Sequence, residues 1–85
     1  MKIERLPETI RIDLEDAGHP GFSVLVIPKR ETAPYFREFY LINDDTAAAL
    51  YMFGVEVQDD NLAAEIAALN VNEYRERLEE MEREE

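Results

Sequence analysis

Apolar and polar residues alternate with period two over Thr9-Ile10-Arg11-Ile12-Asp13-Leu14. Successive side chains of a strand point to opposite faces, so this spacing predicts a strand with Ile10, Ile12 and Leu14 on one side. Glu15-Asp16-Ala17-Gly18-His19-Pro20-Gly21 then gathers two glycines and a proline, which suits a reversing loop. Phe22-Ser23-Val24-Leu25-Val26-Ile27 is apolar on both faces after Ser23, as in a central strand, and Pro28 ends it. A polar connector over residues 29–34 leads to a third, aromatic-rich strand, Tyr35 to Ile42. Arg37 and Glu38 fall on opposite faces of that strand, which predicts an edge position in a three-stranded antiparallel meander.

The pattern changes after Ile42. Asn43-Asp44-Asp45 offers capping oxygens ahead of Ala47-Ala48-Ala49, and Gly54 suits a helix end, predicting a helix from about 45 to 53. The competing reading makes Leu50 to Val57 a fourth strand with Gly54 at a bulge, because this stretch is aromatic and β-branched. Asp59-Asp60 repeats the acidic start before a helix with Leu62, Ile66 and Leu69 on one face. Asn70 and Asn72 bracket its predicted end. They also supply the cap of a last helix, whose narrow apolar seam is Val71, Tyr74, Leu78 and Met81, with Glu73 and Arg77 at i, i+4.

These elements predict one α+β domain spanning 1–85. A three-stranded antiparallel sheet over about 8–43 is covered by two or three C-terminal helices over about 44–83. The apolar content of 46% is that of a folding chain, although 85 residues give only a modest core. With no Cys, neither disulfides nor thiolate metal sites can supplement that core, and a reducing, cytoplasmic setting fits. The first seven residues lack the apolar run of a signal peptide, and no stretch has the ~20 apolar residues of a membrane span.

Charge narrows the partners. The formal net charge is −11, and residues 44 to 72 hold Asp44, Asp45, Glu56, Asp59, Asp60 and Glu65 with no Lys or Arg. Nucleic acid and anionic membrane surfaces are bound through cationic side chains, so this chain predicts neither as a direct partner. The six acids are instead candidate contacts for a basic protein surface, such as that of a nucleic-acid-binding protein, which an inhibitor or antitoxin could block by imitating phosphate charge.

Candidate chemistry is sparse. The two Asp pairs do not follow the alternate-position spacing of a Ca²⁺ loop, and N-capping is their default role, so no metal is predicted. His19 is the only histidine and lies in a turn, where a solvated residue is expected. Ser23, the only serine, lacks the Gly-x-Ser-x-Gly surroundings of a nucleophile elbow, and no phosphate-binding glycine loop is present. No catalytic residue and no cofactor is therefore predicted. Lys29, Arg30 and Arg37 are balanced by Glu31 and Glu38. The sequence thus predicts a non-catalytic acidic interaction module, either a monomer or a homodimer. The alternative is a self-associating accessory protein paired through an apolar interface, with Val71, Tyr74, Leu78 and Met81 as its possible seam.

Overall fold

The computed structural model describes residues 2–5, 9–28 and 35–83, and the fold is an α+β arrangement of one sheet and one helix. Among the described residues five strands, β1 (Lys2–Arg5), β2 (Ile10–Asp13), β3 (Phe22–Pro28), β4 (Phe36–Asn43) and β5 (Ala49–Glu56), form an antiparallel sheet in sequence order. A 3₁₀ turn, Glu15–Ala17, lies in the β2–β3 loop, and α1 (Asp60–Arg83) comes after β5 and packs over β4 and β5.

The expected three-stranded sheet with two or three helices is therefore corrected to five strands and one α-helix among the described residues. The strand at Tyr35–Ile42 is not an edge, because β4 lies between β3 and β5. Arg37 is tolerated inside the sheet because its guanidinium donates to the carbonyls of Tyr35 and Val57 near the strand end.

The helix expected over 45–53 is a tight turn leading into a strand. The Asn43 carboxamide oxygen accepts from the Asp45 and Thr46 N–H groups, and the Thr46 hydroxyl accepts from the Ala48 N–H. The Ala47 N–H donates to the Asn43 carbonyl, and Ala47 adopts φ 60°. Local side-chain bonds of this kind satisfy the backbone without a helix. Beyond the turn, the aromatic and β-branched residues pair with β4. The competing strand reading thus holds, but the bulge lies at Met52: Phe39 pairs with Phe53 while Tyr40 pairs with Tyr51. Gly54 has a different reason. A Cβ there would come within 2.5 Å of the Phe36 ring, which lies across it.

The break expected at Asn70–Asn72 is absent. No Gly or Pro occurs between residues 60 and 83, and the Asn70 side-chain amide donates back to the Ile66 carbonyl at 2.8 Å within one continuous helix.

Register assigns the sheet faces. Phe53 pairs with Phe39 and its ring contacts Tyr74 of α1, so the row Ile10–Val26–Phe39–Phe53 lies under the helix, as does Ile12–Val24–Leu41–Leu50. Ile12, Leu14, Val24, Val26, Phe39 and Leu41 are buried there, which matches the face expected for Ile10, Ile12 and Leu14. The opposite face carries Arg11–Leu25–Tyr40–Tyr51 and Asp13–Ser23–Ile42–Ala49, with Ile27 and Phe36 beyond them. No described element covers this second face.

Candidate interaction surface

Helix α1 starts where the chain needs an acceptor. Asp59 accepts the Asn61 N–H through its side chain at 2.9 Å and the Ala63 N–H through its carbonyl at 3.0 Å, the geometry of an N-cap. At the other end Glu82 accepts from the Thr46 hydroxyl at 2.8 Å and from the Asn43 side-chain amide at 3.3 Å, which fastens the helix to the β4–β5 turn. The helix therefore runs back along β5 with a defined rotation.

That rotation is the reverse of the one the leucines suggest. Ala63, Ala64, Ala67, Val71 and Leu78 are buried against the sheet, whereas Leu62 is 47% and Leu69 83% exposed. Leu62, Ile66 and Leu69 form a line along the outer side, with Ile66 half-buried. The expectation that this line faces the core is corrected. Small residues inside let a helix sit close to its sheet, and the longer seam wins: from Val71, steps of four and three toward the N-terminus reach Ala67 and Ala64. That continuation was readable in the sequence and distinguishes the buried stripe from the exposed one.

The outer line is set among acids. Glu65, Glu73 and Glu76 are exposed on the same helix, and Arg77, which donates to Glu73 at 3.3 Å and lies 5.1 Å from the Tyr74 ring, is farther along it. Glu56 and Asp59 are exposed at the helix start, and Asp60 opens the helix, its side chain lying outside the described atoms. Asp44 and Asp45 lie at the opposite end of β5, roughly 23 Å away for a strand of this length. The six acids thus fall into two groups. Glu56, Asp59, Asp60 and Glu65 share the helix start, while Asp44 and Asp45 share the β4–β5 turn with Glu82.

Of the seam Val71, Tyr74, Leu78 and Met81, the structure buries Val71 and Leu78 within the chain, rests Tyr74 on Phe53 and leaves Met81 47% exposed. Met81 lines a cleft of about 250 Å³ with Thr46, Ala48, Leu78 and Glu82, smaller than the ~300 Å³ at which small-molecule sites begin.

Of the remaining candidates, Ser23 and His19 are buried. Ser23 is fully buried; its hydroxyl donates to the Asp44 carboxylate and accepts from Arg11. His19, expected in solvent, is only 9% exposed, because its loop folds back through bonds from His19 N–H to the Leu14 carbonyl and from Phe22 N–H to the His19 carbonyl. Lys29, Arg30 and Glu31 lie outside the described residues, and Glu38 accepts from the Tyr40 hydroxyl at 2.9 Å. Among the described residues no group of three metal-ligating side chains converges, and no helix is long and apolar enough to cross a membrane. No protein-family model, no curated protein and no solved structure matches this chain.

Proposed function

We propose that the chain is a non-catalytic interaction module that holds a basic, amphipathic helical segment of a partner protein along the outer side of α1. The observation that carries this reading is the exposure of Leu62 and Leu69 on a helix that buries alanines instead. Two large apolar side chains, each about one turn from Ile66, give the i, i+4, i+7 spacing into which a second helix can pack. Exposed leucines at the centre anchor such a contact by excluding water, and a polar rim selects the partner.

The rim selects for positive charge. Glu65, Glu73 and Glu76 stand around the leucines, Glu56 and Asp59 extend the acidic field past the helix start, and no Lys or Arg occurs from residue 44 to 74. Lysines or arginines flanking the partner's apolar stripe would be steered to this surface. Nucleic-acid-binding proteins carry such segments, so occupancy here would compete with phosphate for the same cations.

The test is affinity capture with the full chain, eluted by a salt ramp, beside a Leu62→Ser, Leu69→Ser variant and an Asp44→Asn, Asp45→Asn variant. A specific partner should elute as salt rises, be lost with the leucine variant and be retained by the Asp variant. Capture that survives loss of both leucines would overturn the reading.

A further inference from the structure

We infer that the sheet face opposite α1 is a homodimer interface, on which a second copy of this chain seats its own sheet to give a four-layer α/β/β/α assembly. The face is apolar at its centre. Leu25, Ile27, Phe36, Tyr40, Ile42 and Tyr51 all point to it by register, Tyr51 being 50% exposed and packed edge-on against Tyr40 at 5.4 Å between ring centroids. Gly54 lowers the floor between Phe36 and Tyr51, so the two rings lie across it. Leu25, Ile27, Phe36, Tyr40 and Ile42 are half-buried among their sheet neighbours, and α1, the one described α-helix, packs on the other face. A sheet with one apolar face unlayered is half of the usual two-sheet packing.

Two considerations show that a copy of the chain can be the occupant. The first is area. Five strands about 4.8 Å apart and β3 or β4 roughly 23–26 Å long give a sheet of on the order of 500 Å², so two such faces meeting bury about 1,000 Å² or more in total, the lower range of a specific interface.

The second is charge. Two copies with a net charge of −11 repel, and an assembly must keep their acids apart. Face-to-face sheets put the two α1 helices on the outside, about 30 Å apart for layers of roughly 10 Å, well beyond a Debye length of ~8 Å. Three charged side chains within the face are engaged in the chain, Arg11 with Asp44, Asp13 with the Glu15 N–H, and Glu38 with the Tyr40 hydroxyl, while Glu56, the register partner of Phe36, stands exposed at the end of β5. The contact is isologous and closed, so it stops at two copies.

The test is sedimentation of the full chain over a hundredfold concentration range, in low salt and in 1 M salt, with isotope-filtered NOEs between labelled and unlabelled copies. Dimers should form in the micromolar range and persist in 1 M salt, with intermolecular NOEs to the methyl groups of Leu25, Ile27 and Ile42. Tyr51→Lys, at an already exposed position, should weaken the dimer tenfold or more while far-UV circular dichroism is unchanged. A monomer at every concentration would overturn the inference. A dimer whose NOEs lie on Leu62 and Leu69 would also overturn it, since the pairing would then use the other side of the molecule.

Discussion

The Ser23 hydroxyl, wholly buried on β3, donates to the Asp44 carboxylate at 2.9 Å across 21 positions of sequence, and the Arg11 guanidinium reaches both residues at 3.1 Å. The Asp44 N–H also donates to the Gly21 carbonyl at 2.9 Å. Together these bonds fasten β2, the β2–β3 loop and the β4–β5 turn at one end of the sheet. Asp44 is therefore a structural anchor, whereas Asp45, its neighbour, offers its side chain to solvent. Asp44→Ala would remove the acceptor of the buried Ser23 hydroxyl and one partner of Arg11, costing about 1–2 kcal/mol, a figure kept low because the ion pair is partly solvated. Asp45→Ala should change stability by less than about 0.5 kcal/mol. Urea unfolding of both variants checks the contrast, and equal midpoints would count against the anchoring role.

Ala47 holds φ 60° in the β4–β5 turn, a conformation that costs a residue with a Cβ roughly 1 kcal/mol and glycine nothing. Ala47→Gly should raise the unfolding free energy by about 0.5 kcal/mol, part of the relief being offset by the greater freedom of glycine in the unfolded chain. A lower urea midpoint for this variant would mean that the turn is not built as described.

Gly54 presents a different constraint, because its missing side chain makes room for Phe36. Gly54→Ala should destabilise by about 1 kcal/mol as the ring is pushed aside. Adding Phe36→Ala removes the clash, so the pair should be coupled, with the second substitution costing less in the Gly54→Ala background than alone. Additive costs in a double-mutant cycle would contradict the stacking of Phe36 on Gly54.

Much of the sheet was legible from period and punctuation. Ile10, Ile12 and Leu14 face the core as their alternation requires, and the loop at Gly18–Gly21, where both glycines have positive φ, separates two paired strands. Residues 2–5 carry too few alternations to announce β1, which is defined by pairing with β2. The Ala47–Ala49 run has helical propensity, yet Asn43 and Thr46 satisfy its turn locally, and pairing with β4 makes a strand of Ala49 to Glu56. The acidic bias after residue 43 was visible from composition, but its division between the two ends of β5 comes from chain direction, which composition does not contain. In α1 two stripes compete, and larger residues in the shorter one drew the expectation away from the alanines that the sheet buries.

Which stripe faces the sheet decides whether α1 offers a docking surface at all, and thiol reactivity reads it directly because the chain has no cysteine of its own. Leu69→Cys and Ala67→Cys variants, each matched in fold by circular dichroism, are exposed to a chromogenic disulfide reagent under native conditions and again in denaturant. The exposed position should react at nearly its unfolded rate, and the position now occupied by the fully buried Ala67 should be slowed a hundredfold or more. Fast reaction at 67 with protection at 69 would turn the helix over, place the leucines in the core and remove the surface on which the proposed partner docks.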